Sequence, residues 1–242
     1  MIDLATDPNA RVLVFVDGQN LYKEAERLFG HPLCHPHLLA EYLAGPRTNR
    51  RVGCRYYTGR PSPNVSPTPA MALDRRISAM SGAGVSVTTR PLRYHWDWGH
   101  RLNLPPAGVG VTPQQVLMTP YQRPQEKGID LSLALDVIEF VLTDVCDVVI
   151  IVSLDRDLCE IPTALKNLKG LMRHPVRLEA AVPVPAGRTD PKRLSGFDVT
   201  HQITPDIFDL VRDDTDYTVP KDQWTRPVLP KDLAERRAAR SN

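Results

Sequence analysis

The sequence contains little cysteine and no long hydrophobic run. Its cysteines lie far apart and form no C-x-x-C pair; they are Cys34, Cys54, Cys146 and Cys159. The longest apolar runs, residues 12–16 and 148–152, are far shorter than the roughly 20 residues of a membrane-spanning helix. The N-terminal residues lack the basic and apolar regions of a secretory signal peptide. We therefore exclude a disulfide scaffold and a membrane helix, and we expect a cytoplasmic protein.

Net charge is also nearly absent, because 30 basic side chains accompany 28 acidic ones among 242 residues. With 42% hydrophobic residues, this composition is typical of a soluble globular protein of one or two domains and excludes disorder as the default. The charges are unevenly placed. Residues 42–101 hold ten arginines and two acids, whereas residues 126–160 hold nine acids and two bases. The chain therefore has a basic region and an acidic region.

Strands and helices alternate along the chain. Apolar, β-branched runs predict strands at residues 12–16, 52–58, 84–90, 148–152, 175–182 and 199–203. Helical spacing of apolar residues predicts helices at residues 19–29, 37–44, 68–80, 128–142, 157–168 and 205–212. This alternation predicts an α/β fold with a mostly parallel sheet covered by helices.

The helix that begins near Gly128 has an apolar stripe, which we expect to be buried. The stripe consists of Leu131, Ala134, Leu135, Ile138, Val141 and Leu142. Asp136 and Glu139 lie away from it, so we expect both on the solvated face.

Residues 92–124 interrupt the regular pattern. They show no sustained period and are dense in proline, glycine and aromatic residues. We predict an inserted loop or flap here, within one domain that covers residues 1–212. Residues 213–242 form a charged, proline-containing tail, in which residues 231–240 are predicted to be helical.

Acidic side chains lie where the predicted strands end. Asp17 ends the first strand, Asp155 and Asp157 follow the strand at residues 148–152, and Asp130 lies in the first turn of the helix that leads into that strand. Ligands of parallel α/β sheets bind beyond the carboxyl ends of the strands, and a divalent cation keeps converging carboxylates ionised. Oxygen ligands favour Mg²⁺ or Mn²⁺. Helix capping is the alternative for each acid alone, but it does not explain their coincidence at strand ends.

Three segments together resemble the motifs of NYN-domain proteins, which are PIN-like nucleases related to LabA. They are FVDGQNLY at residues 15–22, EKGIDLSLALDVI at residues 126–138 and VVIIVSLDRDL at residues 148–158. The resemblance runs from about residue 12 to about residue 212 and excludes most of the insertion. It implies a PIN-like three-layer α/β/α sandwich and a metal-dependent nuclease. Such enzymes usually act on RNA and leave 5′-phosphate and 3′-hydroxyl ends.

The resemblance also implies roles for single residues. Metal ligands are Asp17, Asp130 and Asp155, with Asp157 as an outer ligand or a ligand of a second ion. Asn20 and Ser153 orient water, ligand or phosphate, and Lys127 contacts phosphate. The sequence departs from the family at two positions, since glycine is common where Leu154 stands and serine where Arg156 stands. A bulkier loop there bears on metal access and on the approach of substrate.

The basic region offers contacts for a polyanion. Candidate phosphate contacts include Arg47, Arg50, Arg51, Arg75, Arg76 and Arg93, and candidate stacking residues are Tyr94, Trp96 and Trp98. The alternative is a solvated arginine surface and an aromatic cluster that packs the insertion onto the domain.

We therefore expect a bacterial, cytoplasmic, metal-dependent endoribonuclease that uses Mg²⁺ or Mn²⁺. RNA is the expected partner, with single-stranded DNA and a second copy of the chain as further candidates. The main alternative is a catalytically weak RNA-binding or regulatory module on the same fold. A small-molecule phosphatase is disfavoured, because it needs an acid two residues after its nucleophilic aspartate, and Gln19 occupies that position after Asp17.

Overall fold

The computed structural model describes residues 3–50, 52–101, 117–188 and 194–224. The strands in these ranges are β1 Val12–Asp17, β2 Gly53–Arg60, β3 Val85–Pro91, β4 Arg93–Arg101, β5 Leu117–Gln125, β6 Val148–Val152, β7 Arg177–Pro183 and β8 Val199–Ile203. The α-helices are α1 Gly18–Phe29, α2 Pro36–Ala44, α3 Pro67–Gly82, α4 Ile129–Leu142, α5 Glu160–Asn167 and α6 Pro205–Leu210. Short 3₁₀ helices cover Arg156–Cys159, Lys169–Leu171 and Lys221–Gln223. The predicted helix at residues 231–240 lies outside the described residues.

A parallel sheet forms the centre of the domain, in the strand order β3-β2-β1-β6-β7-β8. Strands β1 and β6 pair in parallel, from Val12 opposite Val148 to Val16 opposite Val152. Every residue of β6 is buried, as expected for a parallel strand that is covered on both faces. The chain reverses its direction of winding between β1 and β6, and such a reversal opens a crevice at the carboxyl ends of the strands.

Helices cover both faces of this sheet. Val14 and Val16 of β1 join one buried cluster, which includes Leu21 of α1 and Leu39 of α2. Phe15 points to the other face and joins a second cluster with residues of α4 and α5. These layers confirm the predicted three-layer α/β/α sandwich with a parallel central sheet.

The buried face of α4 differs from the predicted one. Ile129, Leu133, Val137 and Val141 are buried, whereas Leu131 and Leu135 are 58% and 57% exposed. The prediction of a buried Leu131 and Leu135 is therefore wrong. Two apolar stripes run along this helix, and only packing against the sheet decides which of them enters the core.

The prediction that Asp136 lies on the solvated face of α4 is also wrong, because its side chain contacts the sheet. Its Oδ2 accepts hydrogen bonds from the Tyr57 hydroxyl at 2.6 Å and from Arg55 Nη2 at 3.0 Å. Arg55 also lies over the Phe140 ring, 4.5 Å from its centroid. These contacts fix α4 to β2. Glu139 is exposed, as expected.

The segment predicted as an inserted loop or flap contains a β-hairpin. Strands β4 and β5 pair antiparallel, from Arg93 opposite Gln125 to Arg101 opposite Leu117. The hairpin follows β3 after Leu92 and returns to Glu126, just before α4. It therefore begins and ends at the edge of the domain where the predicted acidic site lies.

Arg47 has a structural role instead of the predicted contact with phosphate. Its side chain is 4% exposed, and Nη1 and Nη2 donate to the Glu179 carboxylate at 2.8 and 2.9 Å. Glu179 also accepts hydrogen bonds from Arg177 and pairs with His201. Burial alone raises the pKa of Glu179, but the hydrogen bonds from His201, Arg47 and Arg177 outweigh burial and lower this pKa to about 2.

The first part of the predicted tail packs against the domain. Arg75 Nη1 donates to the carbonyl oxygens of Tyr217 and Thr218 at 3.1 and 2.6 Å. The Tyr217 hydroxyl donates to Asp213 Oδ2 at 2.7 Å, and the Trp224 ring meets the Tyr217 ring edge-on. The chain therefore stays attached to α3 as far as residue 224.

The four cysteines all lie within the described residues and form no disulfide. None of the helices in the described ranges combines the length and the hydropathy that a membrane span needs.

The buried ion pair predicts a large loss of stability for Arg47→Met. Removing the cation leaves Glu179 buried with fewer partners, so we expect a loss of about 3 kcal/mol at pH 7. Ionised Glu179 stabilises the fold above its ordinary pKa of 4.5, and this contribution is lost as the pH falls towards 2. The difference between wild type and variant should therefore shrink below pH 4.5.

Urea unfolding at pH 7 and at pH 3 measures this difference. The control is Arg27→Met, because Arg27 is 63% exposed in its pair with Glu24 and such pairs contribute less than about 1 kcal/mol. Equal, small losses in both variants at pH 7 would show that the buried pair does not stabilise the domain.

Candidate functional site

A cavity of about 560 Å³ lies at the carboxyl edge of the sheet, where β1 ends. Its lining includes Asp17, Glu126, Asp130, Asp155, Lys23 and Lys127. These residues come from β1, α1, the segment before α4, α4 itself and the turn after β6. The structure therefore places three of the four predicted acidic ligands around one cavity.

Asp17 is the most enclosed of these acids, with only 5% of its surface exposed. Its Oδ1 accepts a hydrogen bond from the backbone N of Asn20 at 3.0 Å and thereby caps α1. Its Oδ2 accepts a hydrogen bond from Ser153 Oγ at 3.1 Å. Burial raises the pKa of Asp17, the two hydrogen bonds oppose this rise, and the charges of Asp155 and Asp130 add to it. Asp17 is thus both a helix cap and part of the acidic cluster.

Asn20 and Ser153 connect the start of α1 to the turn after β6. Asn20 Oδ1 accepts a hydrogen bond from the backbone N of Leu154 at 2.8 Å. Ser153 Oγ accepts one from the backbone N of Asp155 at 3.1 Å, while it donates to Asp17. These bonds fix the positions of Asp17 and Asp155 relative to each other. The predicted role of Asn20 and Ser153 in orienting water, ligand or phosphate stays a prediction.

Gly128 sets the start of α4. Its φ of 77° lies in the left-handed region that favours glycine. Ser132 Oγ donates to the Gly128 carbonyl oxygen at 3.1 Å and accepts from Arg90 Nε at 2.8 Å. Asp130 lies in the first turn of this helix and lines the cavity, where the positive end of the helix dipole favours a carboxylate. Lys127 is exposed on the rim.

Glu126 is a fourth carboxylate of the cavity that the sequence analysis did not select. Both of its carboxylate oxygens are buried, and neither has a hydrogen-bond partner within the described part of the chain. Burial, together with Asp17 and Asp130, raises the pKa of Glu126 to about 7, and Lys23 opposes this rise. The sequence signal was its place at the head of the EKGID segment. Its direction into the cavity depends on the hairpin that precedes it.

Asp157 lies outside the cavity lining and is exposed. Its backbone N donates to Asp155 Oδ1 at 3.0 Å, so Asp155 caps the short 3₁₀ helix at Arg156–Cys159. Leu154, the first departure from the family pattern, is half-buried and packs against the cluster around Val182. Arg156, the second departure, is exposed.

Arg75 and Arg76 have partners inside the protein. Arg75 holds the tail through the carbonyl contacts described above. Arg76 Nη2 donates to the Cys34 carbonyl oxygen at 3.0 Å, and its guanidinium lies 5.6 Å from the centre of the Tyr56 ring. Both charges join segments of the fold, and their contact with nucleic acid stays a prediction.

The other predicted nucleic-acid contacts lie on the surface where they are described. Arg50 and Arg93 are exposed, and the Trp96 side chain is 71% exposed. Arg51 and the side chain of Trp98 lie outside the described part of the chain.

The donors around the cavity suit a divalent cation. Asp17, Glu126, Asp130 and Asp155 offer only carboxylate oxygens, which Mg²⁺ and Mn²⁺ prefer. Those of Glu126 are buried, and no described residue forms a hydrogen bond with them. In the described positions, no group of three His, Cys, Asp or Glu side chains is arranged to hold an ion. Because like charges repel, we expect these carboxylates to stand apart without a cation and to close around one.

Comparison with known proteins matches the family model of the NYN domain to residues 11–172. This segment contains all the acids of the cavity and ends before β7. A protein of unknown function from Vibrio parahaemolyticus RIMD 2210633, with a known crystal structure, is 15% identical to this chain, with a TM-score of 0.47. The alignment covers 84% of this chain and 96% of that one. No curated protein matches the sequence.

Gly18, between Asp17 and the rest of α1, predicts a site-specific loss of stability. A Cβ at this position would lie 2.2 Å from Cζ of the buried Tyr56 ring. We therefore expect Gly18→Ala to cost about 1–3 kcal/mol through overpacking.

The matched control is Gly82→Ala, since no atom lies within 4 Å of a Cβ built at Gly82. That substitution should be neutral or stabilising by about 0.4–1 kcal/mol. Thermal or urea unfolding of both variants measures the difference. A Gly18→Ala protein as stable as the Gly82→Ala protein would show that the end of β1 can move away from Tyr56.

Proposed function

Because the chain belongs to the NYN-domain family of PIN-like nucleases, we propose that it is an endoribonuclease that hydrolyses RNA phosphodiester bonds with Mg²⁺ or Mn²⁺. The observation that supports this proposal most strongly is the cavity at the carboxyl edge of the sheet. It is lined by Asp17, Glu126, Asp130 and Asp155. The carboxylate oxygens of Glu126 are buried there, and neither has a hydrogen-bond partner among the residues that the structure describes.

Asp17, Asp130 and Asp155 would hold the cation, with Glu126 as a further ligand. When bound, such an ion makes water a better nucleophile and stabilises negative charge on the leaving oxygen. Asp157 is exposed beside this set, and its role as an outer ligand or as a ligand of a second ion belongs to the proposal.

The remaining residues of the site hold the carboxylates in place or offer positive charge. Ser153 holds the carboxylate of Asp17 and the backbone of Asp155, and Asn20 holds the turn that carries Leu154. These contacts reduce the reorganisation needed when substrate binds. Lys127 on the rim supplies a positive charge for a phosphate, and Lys23 supplies another.

Binding of RNA outside the site is proposed to use the exposed arginines. Arg50 and Arg93 are exposed, so both can neutralise phosphates without breaking a contact that holds the fold. Arg75 and Arg76 are less suited, because their guanidinium groups already bind backbone carbonyl oxygens. Single-stranded DNA is the comparison substrate in the cleavage assay below.

The alternative function, an RNA-binding module with weak catalysis, has one observation in its favour. Within the described residues the carboxylates are not arranged to hold an ion. A pure binding module does not need them to close. Cleavage in the presence of Mn²⁺ therefore separates the two functions.

Asp17→Asn should abolish cleavage of labelled single-stranded RNA. The substitution removes the charge and keeps the volume. Loss of a residue that only supports a metal ligand already costs about 10–100-fold, so loss of a ligand should lower the rate by at least about 100-fold.

The control for this assay is Asp222→Asn, since Asp222 is exposed and lies outside the cavity lining. Rates with Mn²⁺, Mg²⁺ and a chelator are compared for wild type and both variants. Wild-type rates in the Asp17→Asn protein would remove Asp17 from the site, and absence of cleavage by wild type with either metal would favour the binding module.

Metal binding should raise the melting temperature through Asp155. A cation relieves repulsion among carboxylates that only the folded state brings together. At 100 times its dissociation constant the ion adds about 2.7 kcal/mol of stability. Asp155→Asn should be about as stable as wild type without metal and should gain much less from Mn²⁺.

Thermal melts and calorimetric titrations with Mn²⁺ test this prediction, with Asp222→Asn as a control that should respond like wild type. A wild-type protein that shows no heat of binding and no shift in its melt at millimolar Mn²⁺ would contradict the metal site.

A further inference from the structure

The base of the hairpin is fixed next to the acidic cavity. The backbone N of Leu92 donates to the Arg60 carbonyl oxygen at 2.9 Å. The Leu92 side chain packs over Gly59, since a Cβ built on Gly59 would lie only 2.3 Å from Leu92 Cδ2. The Tyr94 hydroxyl accepts a hydrogen bond from the backbone N of Ser62 at 2.9 Å. These contacts hold the first residues of β4 at a defined position relative to the sheet.

A second cavity, of about 430 Å³, lies between this hairpin and α1. Its lining includes Gln19, Lys23, His95, Trp96, Arg123 and Glu126. Gln19, Lys23 and Glu126 also line the acidic cavity. The two cavities therefore adjoin along one side of α1, so a chain molecule bound in one of them can reach the other.

The chemistry of the second cavity fits one nucleotide. Trp96 leaves 71% of its surface exposed, and an exposed indole ring offers a stacking surface for a base. Lys23 supplies positive charge for a phosphate. Arg123 adds a second cation, but Asp97, which also lines the cavity, lies 3.7 Å from it and offsets part of its charge. The amide of Gln19 offers both a donor and an acceptor to the edge of a base. A volume of about 430 Å³ lies within the range of small-ligand sites.

We propose that the hairpin cavity is a nucleotide subsite, in which one unpaired base of the RNA stacks on Trp96 while the neighbouring phosphate lies at the acidic cavity. This inference rests on the proposed function for the position of that phosphate. A base inside a duplex is already stacked and paired, so it cannot use this surface without leaving the helix. The subsite therefore selects single-stranded RNA over duplex RNA.

The test compares the binding of two fluorescein-labelled probes to the full chain. The first is a single-stranded RNA of about eight nucleotides, a length within the range of single-strand binding sites. The second is the same ribose-phosphate chain without bases. Anisotropy is measured with Ca²⁺ in place of Mn²⁺, which keeps a cation available to the carboxylates, and a gel of each sample confirms that the RNA stays intact. Stacking of one base is worth about 1–3 kcal/mol, which is about 5- to 150-fold in affinity. Trp96→Ala should lose this factor on the RNA and bind the abasic chain as wild type does. Trp96→Phe should recover part of the loss.

Leu171→Ala is the control, because Leu171 is 68% exposed and lines neither cavity. Its affinities should equal those of wild type, and thermal melts should show all three variants folded. Equal losses on both probes, or no loss on either, would overturn the nucleotide subsite. A parallel cleavage assay with Mn²⁺ keeps the two proposals separate. If Trp96→Ala loses affinity only for the RNA and wild type cleaves nothing, the nuclease is refuted and the subsite is retained. If wild type cleaves RNA and Trp96→Ala loses no affinity that depends on the bases, the subsite is refuted and the nuclease is retained.

Discussion

The parallel pairing of β1 with β6 is the constraint on which the site depends. Val16 lies opposite Val152, so the next residues, Asp17 and Ser153, meet at the carboxyl edge of the sheet and form a hydrogen bond. The same pairing lets Asn20 of α1 reach the turn after β6. At the opposite end of the two strands, the backbone N of Arg11 donates to Asp147 Oδ2 at 2.7 Å, and the backbone N of Asp147 donates to the Arg11 carbonyl oxygen at 2.9 Å, which holds the same register.

The electrostatics of the site follow from this geometry. Asp17 is buried at the end of β1 and the carboxylate oxygens of Glu126 are buried too. The pKa of each carboxyl group is raised, because burial and neighbouring acids disfavour the charged form. Lys23 is the cation that opposes the rise at Glu126. Elsewhere in the fold, ion pairs balance the negative charge of a buried carboxylate, as Arg47, Arg177 and His201 do for Glu179. Among the described residues, the acidic cavity has two lysines, Lys23 and Lys127, for four carboxylates, and the proposed metal ion would balance the remaining charge.

The strands and most helices could be predicted because their signals are local. The strand at residues 148–152 has the predicted bounds. Three of the four acids predicted at strand ends, Asp17, Asp130 and Asp155, lie around one cavity. Features that depend on distant partners could not be predicted. The sheet selects the Ile129 face of α4 over the Leu131 face, and Arg47 enters the core because Glu179, far away in the sequence, receives it. The hairpin of β4 and β5 could not be predicted either, because prolines and glycines interrupt the alternation of apolar and polar residues that indicates a strand.

Crystals of the protein soaked with Mn²⁺ test the central claim most directly, because anomalous scattering locates the ion without any assumption about activity. We predict a peak in the acidic cavity, within coordination distance of carboxylate oxygens of Asp17, Asp130 and Asp155, with Glu126 turned towards it. No peak in the cavity at saturating Mn²⁺, while Glu126 keeps its buried, unpaired position, would contradict the claim that these carboxylates form a metal site.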